Sequence, residues 1–407
     1  MRWLPIVLLV AACAKSVIPE YEARKSAVLS PPREVPAGWQ GDGALLLSTN
    51  LVDGLVTAGL DKSGALKRKV ELGTMAHFTP NLAVTSLDLQ PSTSCKTCVR
   101  ISASLGGQCS WKLGASSGNR PLTGDIDFEG ELQAVRSGES WALQLVPRKV
   151  NSAKLKLGGR TFRTVAKMAD AAVQDWATQH IFDEIKPLTI TRFEAKNLPL
   201  RAMRVVPEGD GIRVDLLTEA AKVDFIEPTP VGKGEDWSLT LSQGALLHVA
   251  KKAAFEQGVL GYDVAVEPTS LQVDRGTFVM GVRLWRLKGR GWWRDVRVTG
   301  TWTKTKAGFD FQAIEANEVD QSKGAALVDP LAALVEGRIL HAVEDAVSRS
   351  VPGGLDSTVG GIRVQPLVSR VAPIRDQLSA GGTAVVTGGK VKPAGKPSPS
   401  GKGSNRK

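Results

Sequence analysis

The sequence predicts an α+β fold made of two tandem repeats, each with long helices packed on a curved antiparallel sheet. Three observations predict it. Residues 45–64 (LLLSTNLVDGLVTAGLDKSG) can be laid over residues 239–258 (LTLSQGALLHVAKKAAFEQG). Each copy is followed by segments with apolar residues at alternate positions, and then by a stretch with apolar residues three and four apart. The chain has 407 residues, which is long for one ordinary core.

The chain opens with MRWLPIVLLVAAC, one positive charge at Arg2 and a short apolar run ending in small residues before Cys13. This is the layout of a secretory signal, residues 1–12, too short to span a bilayer. Val10-Ala11-Ala12-Cys13 matches a bacterial lipobox, so Cys13 is the expected lipidation site. Ala14 after it points to the outer membrane, facing the periplasm. Residues 13–40 are polar and proline-bearing, and read as lipidated cysteine plus flexible tether.

The first repeat is expected over residues 41–222 and the second over 223–385. In each, a short apolar strand ends in Leu-Ser (Leu47-Ser48, Leu241-Ser242), and the serine is placed to cap a helix. The helices carry Leu51, Leu55 and Ala58 in one copy and Leu246, Val249 and Ala253 in the other; Gly64 and Gly258 end them. Period-two segments follow: LDLQPS matches VAVEPT, and Ile126, Phe128, Gly130 and Leu132 match Val296, Val298, Gly300 and Trp302. Gly130 and Gly300 are expected to mark bends in a curved sheet. A second helix closes each copy, through Phe162, Val165, Ala169, Val173 and Trp176 in the first and Leu327, Leu331 and Leu334 in the second.

HIFDE (180–184) and HAVED (341–345) sit near the ends of these closing helices. A His with a carboxylate three residues on can supply two metal ligands from one helix face. His180 falls near the centre of its apolar stripe and His341 near the edge of its own. The motifs therefore read as traces of a duplication, and no metal or cofactor is expected. No catalytic residues are expected either: there is no Gly-x-Ser-x-Gly elbow, no His-Glu-x-x-His and no phosphate loop.

An exported chain makes a disulfide the default for Cys95, Cys98 and Cys109. Three cysteines cannot all pair, and one local disulfide involving Cys109 is expected. The net charge of +11 is partly local. The tail 386–407 reads as basic and disordered, and Lys390, Lys392, Lys396, Lys402, Arg406 and Lys407 carry six of those charges without an acid. For an exported protein that placement favours anionic lipid headgroups or cell-wall polymers over nucleic acid, which is not expected as a partner. In WRLKGRGWWRD (285–295), Lys288, Arg290 and Arg294 surround Trp292 and Trp293 at an expected hairpin tip, a composition suited to membrane or headgroup contact.

The order helix, long antiparallel strands, helix, extended segment, present twice behind a lipobox, resembles the tubular lipid-binding (TULIP, BPI-like) superfamily over residues 41 to about 380. The resemblance implies a groove between helix and sheet that holds acyl chains. Its walls would be Leu51, Leu55, Phe162, Val165, Ala169, Val173, Trp176, Leu246, Val249, Leu331 and Leu334, with Trp176 the bulkiest. It implies a non-enzymatic envelope lipoprotein that binds or transfers lipid or another long apolar ligand. The alternatives are an assembly scaffold of an envelope complex, with the same repeats fully packed, and an envelope hydrolase.

Overall fold

The computed structural model describes residues 16–387 apart from 31–33, 64–69, 73–75, 114, 139, 159–186, 194–197, 209–210, 221–223, 262, 306–307, 323–356 and 360–361. Among the described residues the chain is mostly strand: three antiparallel sheets of seven, six and five strands, and three helices. Long helices on a sheet are thus not the architecture, and that expectation is corrected. The described helices span only 12, 15 and 15 residues, whereas strands reach 22 residues. The closing helices expected around 162–177 and 327–346 lie outside the described residues.

The long strands follow from sustained alternation. Val99, Ile101, Ala103 and Leu105 are buried, while Arg100 and Ser102 between them are exposed. Keeping this pattern over a whole meander commits one face to the core and one to water. In chain order the first meander is β2 (Val70–Leu72), β3 (Ala76–Pro91), β4 (Cys98–Leu113), β5 (Ser116–Ser137), β6 (Ser140–Leu157) and β7 (Leu188–Phe193). The second is β11 (Val259–Gly261), β12 (Val264–Asp274), β13 (Thr277–Arg286), β14 (Trp292–Thr305) and β15 (Gly308–Gln321). Gly130 and Gly300 both fall at register shifts, as expected of bends. A Cβ at Gly300 would lie 2.3 Å from the Gln312 carbonyl oxygen, and one at Gly130 would lie 2.6 Å from Leu145 Cδ1.

The seven-stranded sheet joins the two halves. It takes β1 (Gly43–Ser48), β8 (Leu200–Glu208) and β9 (Gly211–Thr218) from the N-terminal half. From the C-terminal half come β10 (Trp237–Ser242), β16 (Ser357–Val359), β17 (Ile362–Ile374) and β18 (Gln377–Thr387). The order is β16-β17-β18-β10-β1-β9-β8. β1 and β10 pair antiparallel with Leu45 opposite Leu239. Each strand runs directly into a helix, α2 (Thr49–Ser63) and α3 (Gln243–Gln257). Both serine caps form: Leu51 N–H donates to Ser48 Oγ (3.3 Å) and Ala245 N–H to Ser242 Oγ (3.0 Å). Gly258 ends α3 at φ +73°, a conformation that costs glycine little.

Register gives this sheet two different faces. One carries Met203, Val205, Ile212, Val214, Leu216, Leu45, Leu47, Trp237, Leu239 and Leu241, and belongs to the main core. The other carries Arg204, Arg213, Asp215, Ser238, Thr240 and Ser379, yet Ser238, Thr240 and Ser379 are fully buried. The connection before β10 shields them. Thr229 N–H donates to Thr240 Oγ1 (3.1 Å), and Gln377 exchanges hydrogen bonds with the Glu227 backbone (2.9 and 2.8 Å). Arg370 pairs with Glu235 at 2.9 Å. Buried polar groups satisfied in this way do not count against the fold.

The tether reading is corrected for the stretch 18–29. Ile18–Leu29 form a helix, α1, begun by Pro19 in its first turn. Tyr21 is 1% exposed, with its ring 5.7 Å from Phe255 of α3 and 5.9 Å from Trp285 of β13. These residues and Ala265 form a second, small core.

Candidate functional site

The sequence places Leu51 and Leu55 one turn apart on α2, and the structure sets both against the apolar face of the shared sheet. They line a recess with Leu47, Ile190, Thr191, Trp237, Val364, Pro366 and Ala384. The lining comes from both halves of the chain, and Thr191 is its one polar side chain. Trp237 anchors the floor, 3% exposed, with its Nε1–H donating to the Thr383 carbonyl at 3.0 Å. Free space at the centre is about 20 Å³, little more than one water molecule. A chain-like ligand entering here therefore displaces Trp237 or α2.

Leu246 and Val249, the corresponding expected residues of α3, are buried in the main core at 2% and 6% exposure. Phe162, Val165, Ala169, Val173, Trp176, Leu331 and Leu334 lie outside the described residues, as do HIFDE, HAVED and Cys13. Leu47, Ile190, Trp237, Val364, Pro366 and Ala384 were missed. Trp237 and Leu47 were legible as alternate positions of the two opening strands. The contributions of β7, β17 and β18 depend on distant pairing, which no local pattern records.

Two titratable groups sit on the same helices. Asp53 of α2 has a carboxyl oxygen buried without a hydrogen-bond partner, and burial, aided by Asp88, pushes its pKa up to about 7. His248 of α3 is buried with Nε2 unpartnered; burial first, then Lys252, Lys251 and Arg201, lower its pKa to about 4. Neither belongs to a constellation that activates a nucleophile. Among the described residues no group of three or more His, Cys, Asp or Glu is placed to hold a metal ion.

The expected membrane tip is only partly exposed. Lys288 and Arg290 face solvent, with Lys288 Nζ 3.7 Å from Asp263. Trp292 and Arg294 are 8% and 6% exposed, so their expected surface role is corrected: Trp292 joins the main core, and Arg294 pairs with Glu318 at 3.2 Å. Trp293 packs at the edge of the small core beneath the Arg283 guanidinium, 4.2 Å from its ring centroid. Trp292 is consumed by packing because alternation puts it on the core face of β14 with Val298, while Trp293, on the polar face with Asp295 and Arg297, is covered by Arg283.

The disulfide expectation is corrected as well. Cys95 and Cys98 pair with each other across the β3–β4 turn, while Cys109 is a free, fully buried thiol. Cys109 points from β4 into the core, out of reach of the turn, and burial raises its pKa to about 11.

No protein-family profile matches the chain. No curated protein matches it either. Among solved structures it is similar to lipopolysaccharide binding protein, at 11% identity over 85% of this chain and 99% of that one, with a TM-score of 0.36. It is also similar to P47 from Clostridium botulinum A2, at 10% identity over 84% and 97%, TM-score 0.36. Latherin aligns with 42% of this chain and 80% of its own, at 15% identity and TM-score 0.19. At these identities and TM-scores the likenesses are remote. The functional reading below rests on the chain's own residues.

Proposed function

We propose that this protein is a non-enzymatic lipoprotein of the bacterial envelope, anchored at Cys13 in the outer membrane and facing the periplasm. It takes up the acyl chain of a lipid, or another long apolar ligand, between α2 and the shared sheet. The observation that carries this reading is the recess lined by Leu47, Leu51, Leu55, Ile190 and Trp237, where both halves present apolar side chains around one polar group. Binding follows from apolar area removed from water. Each buried methylene contributes about 0.8 kcal/mol, against the cost of displacing Trp237 or α2. No described helix is long and apolar enough to cross a membrane; in this reading several acyl chains on Cys13 supply the attachment. The test is uptake of a fluorescent fatty acid by delipidated protein. Saturable uptake competed by phospholipid supports the reading, and no uptake by folded protein sinks it.

The scaffold reading has one observation in its favour. Ile314 and Val319 on β15, an outer strand of its sheet among the described residues, are 67% and 60% exposed. Apolar side chains in such a place suit a protein partner.

A further inference from the structure

The N-terminal helix is clamped to the body at one particular place. Val17 N–H donates to the Arg290 carbonyl at 3.1 Å, at the tip of the β13–β14 hairpin. The fit is close: a Cβ at Gly291 would lie 2.7 Å from Val17 Cγ2. Behind this contact Tyr21 is buried against Phe255 and Trp285. Arg24 reaches Glu267, a carboxylate 2% exposed that also accepts a 3.0 Å hydrogen bond from Trp285 Nε1–H. A polar segment with this many specific contacts has a fixed exit point. The chain leaves the body beside residues 287–291.

Cys13 is four residues before Val17. At no more than about 3.6 Å per residue, its Cα lies within about 14 Å of that of Val17, whatever path the segment takes. The hairpin tip also lies near the C-terminal end of α3. α3 leaves the shared sheet at Ser242 and runs 15 residues to Gly258, a length of about 22 Å. β11 follows, and Leu287 N–H then donates to the Asp263 carbonyl at 2.7 Å. The tip therefore sits towards the end of α3 away from Ser242, where the helix leaves the shared sheet. Its exposed side chains are Lys288 and Arg290, with Asp263 beside them.

From these contacts we infer that the β13–β14 tip is the membrane-facing end of the molecule. Lys288 and Arg290 rest on the anionic headgroups of the bilayer that holds the acylated Cys13, and the shared sheet stands off from it. This inference rests on the anchoring part of the function proposed above. α1 is then a rigid strut between anchor and body, and it sets which end of the protein meets lipid. The partner is the surface of an anionic bilayer. The charges suit it, since a cation near such a surface is attracted over about a Debye length.

The experiment uses the full chain purified from bacterial membranes, with the mass at Cys13 determined first. The protein is placed in phosphatidylethanolamine–phosphatidylglycerol vesicles containing a phospholipid with a photoactivatable headgroup, and cross-linked peptides are mapped by mass spectrometry. Cross-links are expected at residues 286–291 and at least tenfold fewer at the β5–β6 turn, residues 137–140. K288E/R290E changes two exposed side chains, so it folds; it should stay vesicle-bound and lose at least fivefold of the tip cross-linking. Tyr21→Ala should spread the cross-links over the surface without releasing the protein. An acylated Cys13 with equal cross-linking at the two turns overturns the inference and leaves the anchor intact. An unmodified Cys13 overturns both.

Discussion

Trp237→Ala separates a ligand wall from an ordinary core position. The indole is 3% exposed, forms part of the recess and donates to the Thr383 carbonyl. Its removal deletes buried apolar surface and leaves a cavity that neighbours fill only in part, which costs about 3–5 kcal/mol. With about 2.1 cal/mol/K of unfolding entropy per residue, the 407-residue chain would lose roughly 4–6 °C in Tm if it unfolds as one unit. The same cavity enlarges the recess. Room for two further methylenes strengthens binding of a correspondingly longer acyl chain by about 1.6 kcal/mol, or roughly fifteenfold. The assay pairs calorimetry with displacement of a fluorescent fatty acid by saturated acids of increasing length. The account predicts a lower Tm together with a preference shifted to longer chains. A lower Tm with an unchanged preference refutes the assignment of this recess to ligand.

Two further predictions concern protons and thiols. Asp53 has a folded pKa near 7, above the usual aspartate value, so it favours the folded state when protonated; that stability is full below about pH 4 and is lost as pH rises through 7. His248 works the other way. Its folded pKa of about 4 gives stability that is present above pH 6.5 and lost as pH falls through 4. Denaturant titrations between pH 4 and 8 should show Asp53→Asn removing the alkaline loss and His248→Gln the acidic one, and parallel curves for variant and parent would disprove either role. For the thiols, Cys109 should resist alkylation in the folded, oxidised protein and react once on unfolding, as followed by intact mass. Reducing Cys95–Cys98 closes no long loop, so it should cost only on the order of 2 kcal/mol.

The sequence made the local devices legible. Ser48 and Ser242 were readable as caps because a serine before an amphipathic run has one obvious partner, the free N–H groups of the first turn. Gly130 and Gly300 were readable as bends because a residue without a side chain weakens a strand interior. Leu51 and Leu55 were readable from spacing as the apolar face of a helix, while their place in a groove wall came from the family resemblance. The shared sheet was not readable. Its central pairing of Leu45 with Leu239 joins residues 194 positions apart, and nothing local encodes it. The buried serines and threonines of β10 and β18 look like an exposed face in sequence, because alternation does not show that the connection before β10 folds back over them. α1 was missed for a related reason: it buries only Tyr21, with Val28 and Leu29 partly buried at its end, and the polar run between them reads as a linker. The indoles of residues 292 and 293 were misplaced because composition reports amphipathic character without saying which face already has a partner.

The measurement that tests the central claim most directly is native mass spectrometry of the full chain purified from bacterial membranes in mild detergent, followed by organic extraction and lipid analysis. A bound lipid at defined stoichiometry is expected, beyond any acyl groups on Cys13, with a shift to longer acyl chains in Trp237→Ala. A folded protein that carries no lipid and takes none up on challenge would contradict it.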